Sequence, residues 1–381
     1  MMTSVLNANP HGEVLSPRRV VKRRDSNLEL YRILCMILIV AHHFVVNSGL
    51  TSVDGPMSLA PHDIKTWYLW SFGMWGKTGI NCFLMITGYF MCTSSITVSK
   101  FLRLILQIYF YKILIFIIFL IAGYEVLSLS RLVKLLMPIW GLNNNFTSCF
   151  VVFYLTIPFW NILIKNMTQR LHQLLLLLLL GGYTLLGSVP TFSVTFNYVT
   201  WFGIIYLIAS YIRLYPHRLF ENKTLWGWLT IGSIAVALFS MIFMLHMFGS
   251  LYAQFFVNDS NKIFAVLVAV CSFLWFKNIH LSYSKIINTI GASTFGVLLI
   301  HANSDAMRTW LWQDTVNCVG HYSLPLGELI LYSVGVVIAI FALCNIIDIL
   351  RTKFIERPFF KWYDRVESKM RNVVSSIVKI E

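Results

Sequence analysis

Arg32 and His43 stand eleven residues apart in a stretch that is otherwise apolar. Eleven residues of α-helix make about three turns, so both side chains fall on one face, with a rise of about 16 Å between them. A neutral imidazole at such a position can take a proton from a hydroxyl near neutral pH. A guanidinium at the mouth of the same helix can hold a phosphate or a carboxylate. Glu29, three residues before Arg32, is placed to pair with it. His42 points about 100° away from His43 and leaves the Arg32 face. The plainer alternative is that Arg32 snorkels to water and that the two histidines only pack.

Three further groups could do chemistry. Lys100 and Arg103 are a basic pair at the start of another apolar stretch. They suit the 3′-phosphate or pyrophosphate of coenzyme A, or else are ordinary flanking charges. Lys77 sits among Gly76, Thr78, Gly79 and Asn81; the glycines allow close backbone approach, and a lysine there needs a partner or a wet cavity. His301 lies near the far end of a late apolar stretch, at about the depth of His43. His246 is at a similar level and reads as interfacial packing.

The elements that must position these residues are membrane helices. Of 381 residues 57% are hydrophobic and only 12% charged, with mean hydropathy +0.70; a soluble domain carries about 25% charged residues. Apolar stretches run over 29–48, 68–93, 102–123, 148–165, 172–189, 198–213, 225–247, 261–277, 286–303 and 326–350. Each approaches the ~20 residues that cross a bilayer, so the chain reads as an all-α integral membrane protein of about ten transmembrane helices.

The net charge of +14 sits mainly in both tails and in alternate connections. That asymmetry places both termini in the cytoplasm and argues against nucleic acid as a partner. Residues 1–27 read as a flexible basic cytoplasmic tail, 28–350 as the membrane domain and 351–381 as a basic cytoplasmic C-terminal tail. Trp67, Tyr68, Trp70 and Trp75 form an aromatic belt at the outer end of the second span. The seven cysteines include no CxxC pair and read as small packing residues. No metal site is expected.

These residues, taken together, resemble the acyltransferase-3 family of membrane acyltransferases, in its polysaccharide O-acetyltransferase type. Arg32-x10-His43 resembles the family's first-span signature. Gly79–Phe90, with Thr87-Gly88-Tyr89, resembles its second-span motif. Lys100-Phe-Leu-Arg103 is similar to its Arg-x-x-Arg pair, and Tyr154-Leu-Thr-Ile-Pro158-Phe-Trp-Asn161 to a segment of its polysaccharide-modifying members. Ile290–His301 resembles the late segment that ends in histidine, and Phe354-Ile-Glu356-Arg-Pro358 the Glu-Lys-Pro ending. Lys100 stands where arginine is usual, Thr87 for serine and Leu298 for tyrosine. A lysine cannot grip a phosphate bidentately as arginine does, which leaves the donor's identity open.

The resemblance implies O-acylation, usually acetylation, of a hydroxyl on a cell-surface or exported polysaccharide, with cytosolic acetyl-CoA (acyl-CoA) as donor substrate. The expected partners are therefore acyl-CoA, a surface glycan or lipid-linked saccharide acceptor, and membrane lipids; no permanently bound cofactor is expected. His43 becomes the expected catalytic residue, and Arg32, Lys100 and Arg103 the expected donor-binding residues. Glu29, Lys77, Asn81, Thr87 and His301 are the expected supporting or acceptor-side residues. The setting implied is the cytoplasmic membrane, crossed many times. The rival reading is a transporter or flippase of a lipid-linked glycan, which has no particular need of an arginine and a histidine on one helical face.

Overall fold

A computed structural model describes residues 24–378 apart from 138, 140, 141, 143 and 144, with side chains described as far as residue 368. Most of the expected N-terminal tail, 1–23, lies outside the described residues. Among those described the chain is helical with no strand. In chain order the helices are α1 (Ser26–Val46), α2 (Pro56–Leu59), α3 (Ile64–Gly73), α4 (Gly76–Met91), α5 (Val98–Ile121) and α6 (Leu129–Leu136). Then come α7 (Phe146–Asn166), α8 (Gln169–Leu179), α9 (Tyr198–Leu214), α10 (Lys223–Phe248), α11 (Ile263–Lys277) and α12 (Lys285–Ala292). The last are α13 (Thr294–His301), α14 (Asp305–Thr309), α15 (Cys318–His321), α16 (Leu326–Arg351) and α17 (Arg357–Val378). Many start at a side chain that accepts a hydrogen bond from the first turn, as Asp63, Thr97, Asn145, Asn197 and Asn222 do, which satisfies backbone donors that a helix start leaves free.

Every apolar stretch of the sequence is helical, but the stretches are not equivalent. Among the described residues six helices are long and apolar enough to cross a membrane: Ser26–Val46, Val98–Ile121, Phe146–Asn166, Gln169–Ser188, Lys223–Phe248 and Leu326–Ser368. A seventh is a pair, Lys285–His301 and Asp305–His321, bent by 96°. The others fall short for identifiable reasons. Helices α9 and α11 have 17 and 15 residues, and the expected second span is interrupted at Met74 and Trp75 between α3 and α4. After Arg351 a wide helical turn, Thr352–Glu356, leads into α17.

Helix α1 is the hub, packed on α3, α4, α11, α12, α13 and α16. Glycines set its distance from its neighbours. A Cβ on Gly73 would lie 2.6 Å from Val45, one on Gly76 2.2 Å from the His42 ring, and one on Gly79 2.8 Å from Ile39. On the α12 side a Cβ on Gly291 would come within 2.4 Å of the Glu29 carboxylate. The beginning of α1 and the end of α16 meet at one end of the bundle, where Asn345 donates to Ile290 O at 3.0 Å, next to Gly291 under Glu29. All seven cysteines are buried and free.

Candidate active site

His43 lies in the last turn of α1 and His301 closes α13. Their rings meet across the bundle, with His43 Nδ1 2.9 Å from His301 Nε2. His301 is fully buried, and its Nδ1 stands 2.6 Å from Val297 O. A carbonyl oxygen only accepts, so His301 Nδ1 carries the hydrogen. In the neutral pair His301 Nε2 is therefore the acceptor and His43 Nδ1 the donor. That assignment leaves the lone pair of His43 on Nε2, which no hydrogen bond among the described residues uses. The Trp312 indole packs edge-on against the His301 ring, with centroids 6.5 Å apart.

His43 forms part of the wall of a cavity of about 750 Å³, a size typical of sites that enclose a drug-sized ligand. The cavity descends along α1 to Ile39 and Met36. Met36 is four residues beyond Arg32, a rise of about 6 Å on nearly the same face. An apolar wall comes from Phe83, Ile108, Phe116, Phe295 and Leu298. Lys77 is also in the wall: its ammonium donates to Tyr198 OH at 2.6 Å and lies 3.9 Å from Asp259. Arg308 lines the same cavity as Lys77 and His43. The arrangement can thus present an oriented imidazole nitrogen, with cations nearby, to a ligand in a partly apolar chamber.

His42 is engaged differently. Its Nδ1 is 2.6 Å from Gly73 O, which ties α1 to the end of α3.

The three expected donor-side cations are not part of the cavity wall. Arg32 donates to both oxygens of Glu29 at 3.0 Å, and Arg24 shares that carboxylate. Lys100 donates to Ser95 O at 2.8 Å and to Ser94 Oγ at 3.2 Å. Arg103 pairs with Glu356 at 3.1 Å and lies over the Phe360 ring at 3.8 Å. Asn81 and Thr87 also stand away from the cavity. Fully buried Asn81 donates to Ser260 O at 2.7 Å and accepts from Trp201 Nε1 at 2.9 Å, while Thr87 bonds back to Phe83 O. In the Tyr154–Asn161 segment, Asn161 accepts from Tyr206 OH at 2.6 Å and donates to Met91 O at 3.1 Å, fastening the end of α4.

One buried network is centred on a residue outside the motifs singled out in the sequence, Asp348. Asp348, 1% exposed, accepts from Arg351 Nε at 2.8 Å, Tyr111 OH at 2.8 Å and Gln107 Nε2 at 3.1 Å. The wide turn after Arg351 brings Glu356 back to within 2.8 Å of the same guanidinium, so Glu356 joins Arg351 to Arg103. Its signal in the sequence is an acid and a base three residues apart near the end of an apolar helix, a costly placement that calls for a reason.

These features define an all-helical, multi-pass membrane protein with a paired-histidine site in a chamber. The family model described as an acyltransferase domain, that of the acyltransferase-3 family, matches residues 25–347. The chain belongs to that family and is a membrane acyltransferase. No curated protein and no solved structure matches it. Neither the family nor the fold lends support to the transporter reading.

Proposed function

We propose that the chain is an O-acyltransferase that moves an acetyl or other acyl group from cytosolic acyl-CoA to a hydroxyl of a cell-surface or exported polysaccharide. In this reading it lies in the cytoplasmic membrane with about ten spans, the shorter and broken helices included, and with both termini inside. The observation that carries the proposal is the hydrogen-bond chain from His43 through His301 to Val297 O, which fixes the tautomer of His43 and leaves the Nε2 lone pair of this cavity-lining residue unused.

His43 is the base. As the acceptor oxygen attacks the thioester carbonyl, its proton passes to His43 Nε2. The carbon–sulfur bond breaks, and the departing thiolate takes up that proton, so the products are an ester and free CoA. His301 holds the ring and its tautomer, as the third group of a catalytic triad holds the base. Lys77 and Arg308 oppose the negative charge that develops on the carbonyl oxygen. Arg32, oriented by Glu29, binds the anionic part of the donor together with Lys100 and Arg103. Asn81 and Thr87 serve the helix bundle.

The free lone pair on Nε2 also suits a second use of the same nitrogen. His43 Nε2 attacks the thioester carbonyl and CoA departs as the thiolate; the acceptor oxygen then attacks the acyl carbon, the bond from that carbon to Nε2 breaks, and the hydroxyl proton ends on the thiolate. An acyl adduct on His43, trapped by rapid acid quench and found by peptide mass spectrometry, separates the two routes.

The activity is tested by CoA release from acyl-CoA in purified membranes, with the mass of surface glycans compared between wild-type and deletion cells. Release that requires His43 and a glycan lighter by the acyl group in the deletion are expected. Glycan movement across the membrane without CoA release would return the chain to the transporter class. Cysteines placed at Ser4 and Ser376 should be labelled only after cells are opened; labelling of either from outside would end the assignment of both termini to the cytoplasm.

A further inference from the structure

The cavity wall is more strongly charged than the proposed chemistry requires. Five cations, Lys77, Lys112, Arg131, Lys134 and Arg308, stand against two carboxylates, Glu125 and Asp305. The cations still outnumber the carboxylates that meet them, Asp259 included. Lys112 donates to the backbone oxygens of Lys134 and Met137 at 2.7 and 2.8 Å, and Lys77 to a phenol, with Asp259 3.9 Å away. Arg131 pairs with Glu125. Arg308 meets Asp305 at 2.9 Å, but that carboxylate is 97% exposed to water. A chamber with low-dielectric walls and one dominant sign of charge concentrates ions of the opposite sign.

The location of the charge is as informative as its sign. Lys112 is nine residues beyond Arg103 along α5, a rise of about 13 Å. The basic wall therefore lies far from Arg32, Lys100 and Arg103, towards the opposite end of the bundle. Arg131 and Lys134 are three residues apart on α6 and share one face of it. Leu129, Val133 and Leu136 of the same helix are exposed, at 78%, 42% and 68%. Helix α6 thus turns a basic side to the cavity and leaves an apolar side uncovered, as a helix lying at a membrane surface does.

We propose that this wall is a binding site for an oxyanion carried by the acceptor, with Lys112, Arg131 and Lys134 as its main contacts. The acceptor is then an anionic glycan or glycolipid, bound with its charged group on α5 and α6 and its hydroxyl towards His43. The oxyanion is either a phosphate next to a lipid chain, for which the apolar wall and α6 provide a path from the bilayer, or the carboxylate of an acidic sugar. This inference rests on the acyltransferase reading for its purpose, but its chemistry is independent of the donor.

The test uses the full chain in nanodiscs and three probes: geranylgeranyl phosphate, methyl glucuronoside and the neutral methyl glucoside. At least one anionic probe should bind about tenfold or more tightly than the neutral one, as expected from the strength of charged hydrogen bonds. Which anionic probe it is identifies the source of the charge. The Lys112→Gln/Lys134→Gln variant should lose that preference, and Lys112→Arg/Lys134→Arg should keep it. Arg131→Gln, which leaves the Lys112 contacts to the backbone in place, should reduce it without relying on the double variant's folding. Affinity for free coenzyme A should be unchanged in all of them. Equal binding of charged and neutral probes, or no difference between wild type and variants, overturns the proposal. A parallel loss of coenzyme A affinity overturns it too and gives these cations to the donor. Wild-type protein that prefers the anionic probe but never releases CoA from acyl-CoA would instead fail the proposed activity.

Discussion

The two ends of α1 handle charge in opposite ways. At the Arg32 end guanidinium groups meet carboxylates: Arg24 and Arg32 on Glu29, Arg103 on Glu356, and Arg351 on both Asp348 and Glu356. At the His43 end most donors meet neutral acceptors: His42 on Gly73 O, His301 on Val297 O, Lys77 on Tyr198 OH and Lys112 on two carbonyls. Arg131 with Glu125 and Arg308 with Asp305 are the exceptions, and Lys77 also has Asp259 at 3.9 Å. A buried ion pair fixes helices, and breaking it leaves a lone charge in a medium that cannot solvate it. A cation or imidazole with a neutral partner keeps its charge or lone pair for a ligand. Residue type alone does not separate these two uses.

The sharpest way to break the comparison is at His43 itself. His43→Ala should keep its place in the membrane and its coenzyme A binding, and lose acyl transfer by about 10²–10⁴-fold, the usual contribution of a general base. His42→Ala loses a tie to Gly73 and some thermal stability, yet keeps much of its activity. Glycan acylation in cells at matched protein level reads both. An active His43→Ala, or a dead His42→Ala beside it, would return both histidines to packing.

At the opposite end the largest effect is on stability. Asp348→Ala takes away one of the two carboxylates on Arg351 and leaves Tyr111 OH and Gln107 Nε2 without their acceptor, and should cost about 3 kcal/mol, the low end for a broken buried pair. Thermal unfolding in detergent measures it, and a melting temperature within error of wild type would show that the network does not hold the helices together. Glycine contacts give a smaller, graded effect. Gly76→Ala and Gly291→Ala force a methyl group into the His42 ring and the Glu29 carboxylate, and overpacking of this kind costs about 1–3 kcal/mol. Gly182, where an added Cβ would meet nothing within 4 Å, is the control: alanine there should change stability by no more than about 0.5 kcal/mol.

The membrane class and the shared face of Arg32 and His43 are legible in the residues alone, because apolar length and helical periodicity are local properties. The pairing of His43 with His301 is only half visible there: both residues stand out, but 258 positions separate them and nothing local shows that their rings touch. Asn81 and Thr87 stand out by their place in a motif, and tertiary contacts spend them on the bundle instead. Asp348 does not stand out because it lies close to the basic tail, where a lone acid looks like surface charge. The break at Met74 and Trp75 leaves no proline or long polar run to mark it, so an unbroken span is the natural expectation.

The finest test concerns Lys100, the one expected donor-side cation at the Arg32 end without a carboxylate partner among the described residues. Its ammonium holds a serine hydroxyl and a carbonyl in the turn before α5, so an incoming phosphate displaces only neutral acceptors. Arg103, by contrast, must leave Glu356 to bind an anion. If neutral partnering marks groups kept for ligands, Lys100→Ala should weaken coenzyme A binding with stability unchanged. The effect should be small, because an exposed ion pair contributes about 0.2–1 kcal/mol, which is at most about fivefold in affinity. Arg103→Ala should instead lower stability first, by freeing Glu356. Titration of coenzyme A on both variants, beside their melting curves, reads the two outcomes. Loss of coenzyme A affinity confined to a fully stable Arg103→Ala would take Lys100 out of the donor site and break the link between neutral partnering and ligand binding at this end.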